Sequence, residues 1–125
     1  NMKKIFFILF TIMTSLMVSA QDGSFQSVNN DEFSKVIKKK KVQVIDVRTP
    51  QEYNTGHLPK AINIDMRQAD FQEKAGKELK TKYPVAVYCR SGRRSKIAAQ
   101  KLVDQGFEVY ELNTGIVQWK GDIEK

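Results

Sequence analysis

The stretch Pro84-Val85-Ala86-Val87-Tyr88-Cys89-Arg90-Ser91-Gly92-Arg93-Arg94-Ser95-Lys96-Ile97-Ala98-Ala99 holds the organisation of this chain in miniature. Pro84 to Tyr88 is a continuous apolar run, which reads as a strand buried on both faces. From Ser95, the residues Ile97, Ala98 and Leu102 recur at helical spacing, and Gly106 closes that helix as its C-cap. Between strand and helix lies a short turn that holds the single cysteine, three arginines and a glycine. Strand, tight turn and helix in that order make the unit from which parallel α/β sheets are built.

The same alternation extends in both directions. Val42-Gln43-Val44-Ile45-Asp46-Val47 reads as a second buried strand. Thr49-Pro50-Gln51-Glu52 starts a short helix, with Thr49 as N-cap and Glu52 completing a capping box, and Asn54-Thr55-Gly56 ends it. Ala61 to Ile64 is a further strand, and Arg67 to Lys80 an amphipathic helix with Phe71, Ala75 and Leu79 on one face. Phe107 to Leu112 alternates as a strand, and Gly115 to Lys120 forms a last helical turn around Trp119, read as a core residue. Toward the N-terminus, Asn30 caps a helix carrying Phe33, Val36 and Ile37, followed by the solvated lysine run Lys38–Lys41. Residues 28–125 thus read as one α/β domain, a mainly parallel central sheet with helices on both faces, preceded by a polar lead-in at 21–27.

A length of 125 residues suits a single domain. With 41% hydrophobic and 28% charged residues the chain is close to globular averages of about 45–50% and 25%, which excludes disordered and collagen-like classes. One cysteine and one histidine allow neither an intrachain disulfide nor a zinc site, so no metal is expected. Met2-Lys3-Lys4, the apolar run Ile5–Val18 and the small residues up to Ala20 have the pattern of a signal peptide over residues 1–20, cut before Gln21. That apolar run is shorter than the roughly 20 residues a bilayer span needs, so the expected product is periplasmic or secreted, with no stable membrane span after cleavage. Asn1, ahead of the methionine, carries no information. Loss of Lys3 and Lys4 with the leader lowers the formal charge from +7 to +5. No basic stripe is interleaved with aromatics, so nucleic acid is not an expected partner.

Ligands of open α/β sheets bind at the carboxyl ends of the strands, which is where Cys89 falls. The start of the following helix and the cations Arg90, Arg93 and Arg94 favour a negative sulfur there, and the thiolate is the nucleophilic form of cysteine. Gly92 permits a tight turn whose amides, with Ser91 beside it, face inward as an anion cradle.

These residues resemble a known family. Val44-Ile45-Asp46-Val47-Arg48-Thr49-Pro50-Gln51-Glu52-Tyr53 with Gly56-His57-Leu58-Pro59-Lys60-Ala61-Ile62-Asn63-Ile64 is similar to the first signature of rhodanese (sulfurtransferase) domains. Val87-Tyr88-Cys89-Arg90-Ser91-Gly92-Arg93-Arg94-Ser95 resembles their active-site loop, and Leu112 to Trp119 their closing segment. The resemblance implies a sulfurtransferase that moves sulfane sulfur from thiosulfate or polysulfide to a thiol or cyanide acceptor through a Cys89 persulfide. It implies no cofactor. Arg90 and Arg94 are the residues expected to hold an anionic donor, the amides of Arg90 through Arg94 to hold the persulfide, and Asp46 and Arg48 to support the loop by pairing with each other or with it. His57 belongs to the fold signature, packed away from the sulfur. Related phosphatases place five residues between cysteine and arginine; here four separate Cys89 from Arg94, and Ser95 stands where they have arginine. The alternative function is a persulfide carrier or protein-binding module without significant thiosulfate turnover. A monomer is the expected state. One departure from the family is Asn113-Thr114-Gly115, where a Gly-Gly pair is usual.

Overall fold

Five parallel strands form one sheet in the order β1-β5-β4-β2-β3. The computed structural model describes residues 23–125, so the leader expected at 1–20 lies outside the described residues. The strands are β1 (Gln26–Val28), β2 (Gln43–Asp46), β3 (Ile62–Asn63), β4 (Val85–Tyr88) and β5 (Val109–Leu112). The helices are α1 (Asn30–Ile37), α2 (Pro50–Thr55), α3 (Phe71–Glu78) and α4 (Arg93–Asp104), followed by a 3₁₀ turn at Ile116–Gln118. None of the described helices is long and apolar enough to cross a membrane.

Alternation along β4 divides the core in two, because successive side chains of a strand leave opposite faces. Val85 and Val87 join Ile45, Phe71, Ala98 and Leu102 on the side of α3 and α4. Ala86 and Tyr88 join Val44, Phe33, Val36 and Leu58 on the side of α1. All four β4 residues are buried, as a central parallel strand covered on both faces must be. Trp119 packs edge-on to Phe33 at 6.0 Å on the second side, partly buried against the core rather than within it.

Several boundaries shift for identifiable reasons. The first helix is capped by Asn29 rather than Asn30: Asn29 has the extended backbone a cap needs and accepts the Glu32 N–H at 3.0 Å. The Asn30 side chain is engaged elsewhere, donating to the Gln118 carbonyl at 2.8 Å. Helix α3 begins at Phe71 rather than Arg67, because the Asp65 carboxylate accepts the Arg67 N–H at 2.9 Å and holds residues 65–68 in a turn. Helix α4 starts at Arg93, two residues before Ser95, and Gln105 caps it with Gly106 just beyond at φ +100°. Strand β1 starts inside the stretch read as a polar lead-in. Two of its three residues are exposed, so its pairing with β5 leaves no apolar pattern.

A buried polar cluster sits on the α1 side at the carboxyl end of β2. The Asp46 carboxylate has no solvent exposure and accepts from the Arg48 Nη2 at 2.7 Å, the Arg48 backbone N–H at 2.9 Å and the Tyr88 hydroxyl at 2.7 Å. Arg48 also donates to the Gly56 carbonyl at 2.6 Å, and the Tyr88 oxygen accepts the Leu58 N–H at 3.0 Å. Burial first, and then the Asp46 charge, push the Tyr88 hydroxyl far above its ordinary value, so it remains a donor. Burial alone would lower the Arg48 guanidinium, but its hydrogen bond to Asp46 and that carboxylate's charge outweigh it, and the net shift is upward. Tyr88→Phe leaves the buried Leu58 N–H without a partner and removes one of the donors to an Asp46 oxygen that Arg48 still holds. The expected loss is about 1–3 kcal/mol in urea unfolding with an unchanged m-value.

Candidate active site

The sulfur of Cys89 lies at the carboxyl end of β4, in a residue only 1% exposed. Gly92 caps α4 in the left-handed region, φ +98°, with no side chain covering the helix start. Its backbone N–H donates to Sγ at 3.1 Å. An N–H hydrogen bond and the positive end of a twelve-residue helix therefore meet at one sulfur atom, and both favour negative charge on it. Sγ also lies 3.5 Å from the Ser95 hydroxyl, to which the thiol donates.

Close backbone contact with the segment after β5 holds the loop in shape. The Ile116 N–H donates to the Cys89 carbonyl at 2.9 Å and the Val117 N–H to the Arg90 carbonyl at 3.0 Å. A Cβ on Gly92 would come within 2.2 Å of the Asn113 oxygen, and a Cβ on Gly115 (φ +71°) within 2.2 Å of the Arg90 oxygen. Both positions exclude any side chain. In the segment Asn113-Thr114-Gly115, the glycine is present at the position where this contact requires one.

The three loop arginines have different surroundings. Arg90 and Arg93 are exposed, as is Ser91. Arg94 turns back to α2 and grips both oxygens of Glu52, Nη1 to Oε1 at 2.8 Å and Nη2 to Oε2 at 2.9 Å. Glu52 is also the capping-box residue, accepting the Thr49 N–H at 3.2 Å, so α2 and the cysteine loop share one carboxylate. Asp46 and Arg48 pair with each other one strand away. His57 stacks on Tyr53 at 4.0 Å, its Nδ1 lies 2.9 Å from the Leu58 carbonyl oxygen, and its backbone bridges to Glu124. Among the described residues no cluster of His, Cys, Asp or Glu is arranged to hold a metal ion.

Glu52, Ser95, Lys96 and Glu111 were not among the expected site residues, yet all four touch the loop. Glu111 is fully buried in β5 and bonded to Ser95, and Lys96 donates to the Gly92 carbonyl at 3.1 Å. A signal for Glu111 was present. It is a carboxylate at an inward position of a strand whose neighbour on that face, Val109, is core. Ser95 lies inside the first turn of α4 rather than at its start, and Glu52 also fills the capping box of α2.

The hydrogen bonds from Arg94 hold the Glu52 carboxyl at about 2, against an ordinary 4.5, while the same contact raises the Arg94 guanidinium. A carboxyl depressed on folding contributes stability above its unfolded value and loses it as pH falls through the folded one. The pair should therefore weaken between pH 4.5 and about 2. Solvent screening of this partly exposed pair limits the effect to about 1 kcal/mol. Unfolding followed across that window should show the loss, and Glu52→Gln should remove that share of the acid dependence.

Comparison with known proteins agrees with this geometry. The family model of the rhodanese-like domain matches residues 29–122. The thiosulfate sulfurtransferase GlpE of Coxiella burnetii is 37% identical over 98 residues, which are 77% of this chain and 88% of that protein. A rhodanese-related protein from Thermoplasma volcanium superposes with a TM-score of 0.70 at 29% identity, covering 80% of this chain and 98% of its own. A rhodanese from E. coli solved with anions superposes at 0.57 with 30% identity, covering 67% and 99%. The matched span takes in β2 to β5 and the whole cysteine loop, and the chain belongs to the rhodanese-like domain family.

Proposed function

We propose that this chain is a sulfurtransferase that carries sulfane sulfur on Cys89, taking it from thiosulfate or polysulfide and passing it to a thiol, with cyanide as the assay acceptor. The observation that carries this reading is the Gly92 N–H, 3.1 Å from Sγ at the start of α4, in a loop whose only cysteine stands at a strand end. The Cys89 thiolate attacks the outer sulfur of thiosulfate. The new S–S bond forms as the bond to the sulfonate sulfur breaks, and sulfite leaves with that electron pair. The resulting Cys89–S–S⁻ has the same single charge as the thiolate, so the environment that favours one anion favours the other. An acceptor thiolate or cyanide then attacks the terminal sulfur and returns Cys89 as thiolate.

Charge supports a small anionic donor. Arg90 and Arg93 are exposed, and among the described residues neither side chain is held by a carboxylate, so both are free to meet an oxyanion. Arg94 is engaged by Glu52 in the structure. Its part in this reading is to keep α2 against the loop, with donor binding falling to Arg90 and Arg93. Export to the periplasm or medium, read from residues 1–20, would put this chemistry outside the cytoplasm, on a single thiol that has no intrachain partner.

Intact mass after thiosulfate, then after cyanide, tests this directly. The expected result is a gain of one sulfur atom on the unaltered chain, discharged by cyanide as thiocyanate, with neither event on Cys89→Ser. Persulfide that forms only from polysulfide or a persulfidated protein, with no charging by thiosulfate, would make the chain a carrier and overturn thiosulfate as donor.

A further inference from the structure

Glu111 is a carboxylate with no solvent exposure, on a strand that lies between β1 and β4. Three donors meet it. Ser27 is its register partner on β1, and the Ser27 hydroxyl donates to Oε1 at 2.6 Å. From α4, the Ser95 hydroxyl donates to Oε2 at 2.5 Å and Lys96 Nζ lies 3.3 Å from the same oxygen. Lys96 is itself fixed by the Gly92 carbonyl at 3.1 Å and the Asn113 carbonyl at 3.3 Å. Removing a carboxylate from water is costly even when it is paired, and an apolar side chain would fill this strand position without that cost. The contact that distinguishes Glu111 is the one leading to the nucleophile. Ser95 has one proton, and it is committed to Glu111. Toward Cys89 its oxygen can offer only a lone pair, and Sγ stands 3.5 Å away as the donor.

We propose that Glu111 is a positioning residue and the terminal acceptor of the Cys89 proton, reached through the Ser95 hydroxyl. The inference rests on the sulfur-transfer reading, since it describes how the thiolate of that reaction arises. The S–H bond breaks and its proton passes to Ser95 Oγ, while Ser95 gives its own proton to Oε2. The products are a thiolate and a neutral carboxylic acid, so one negative charge moves from Glu111 to the sulfur and none is created. The Ser95 hydroxyl then directs its new proton at the sulfur, and with the Gly92 N–H makes two donors to the anion. Discharge of the persulfide restores the thiolate, and the proton returns along the same path. No other reactant is needed. The charged groups facing this path are Lys96 at the Glu111 end and, at the sulfur end, Arg94, whose guanidinium interacts with Cys89; β1 contributes only the Ser27 hydroxyl.

The test is the rate of Cys89 alkylation by iodoacetamide as a function of pH, for the unaltered chain, Glu111→Gln, Ser95→Ala and Ser95→Thr. Coupled sites titrate in two steps, so the unaltered chain should hold a plateau of reactivity on the acid side, where the thiolate arises by internal transfer. Glu111→Gln still accepts from Ser95 but cannot take the proton, and Ser95→Ala removes the hydroxyl that donates to the thiolate, so the transferred form loses its stabilisation at equilibrium. Both should lose the plateau, their reactivity falling about tenfold for each pH unit below a single inflection. Ser95→Thr keeps the hydroxyl and should restore the plateau. Profiles of Glu111→Gln and Ser95→Ala that superimpose on the unaltered chain overturn the relay, and Ser95→Ala, lacking one oxygen, decides the matter if Glu111→Gln fails to fold. Alkylation needs no sulfur donor. A plateau that depends on Glu111 in a chain that makes no thiocyanate overturns the sulfur-transfer reading alone, and thiocyanate production with superimposed profiles overturns the relay alone.

Discussion

The close approach of two backbone segments, the cysteine loop and the chain leaving β5, is the constraint on which this site depends. The Cys89 and Arg90 carbonyls accept from Ile116 and Val117, and the Gly92 and Gly115 positions admit no side chain because carbonyl oxygens occupy that space. Hydrogen bonds to main-chain groups leave the loop little freedom to open, and that rigidity holds the Gly92 N–H on the sulfur. The same contact brings Asn113 to Lys96 and Lys96 to Glu111. A loop of one charge and many donors is thereby joined to a strand carrying the opposite charge.

Three carboxylates organise the polar interior, and each is held differently. Asp46 is enclosed by Arg48 and Tyr88 and joins β2, β4 and the segment before β3. Glu52 lies at the surface end of α2 and ties that helix to the loop through Arg94. Glu111 is sealed inside and touches Ser95, which touches Cys89. Asp46 and Glu52 each meet an arginine, whose fork satisfies both oxygens and leaves the charge fixed. Glu111 meets two hydroxyls, which can exchange donor and acceptor roles around it, and one lysine, which only donates.

The lone cysteine and the four residues separating it from Arg94 also bear on chemistry. With Ser95 rather than arginine at the next position, the loop ends in a hydroxyl facing the sulfur, and the arginine before it is drawn away to Glu52. The loop cations left exposed are Arg90 and Arg93.

Periodicity alone carried the parallel α/β architecture, because buried strands must be continuously apolar and helices must keep one apolar face, and both patterns are local. The α2 capping box and the position of Cys89 between strand and helix were legible for the same reason: each is set by residues within a turn of one another. Strand β1 was not, since a short, exposed edge strand is held by main-chain pairing with β5, which has no side-chain signature. Nor were the partners of Arg94 and Ser95. Glu52 lies 42 residues before Arg94 and Glu111 lies 16 after Ser95, and nothing in either interval marks which charges will meet. Sequence by itself determined most of the elements, their order and the place of Cys89 between strand and helix; only the tertiary structure decided which arginines face solvent and which carboxylate lies behind Ser95, because those pairings depend on strand order and the crossing of loops in space.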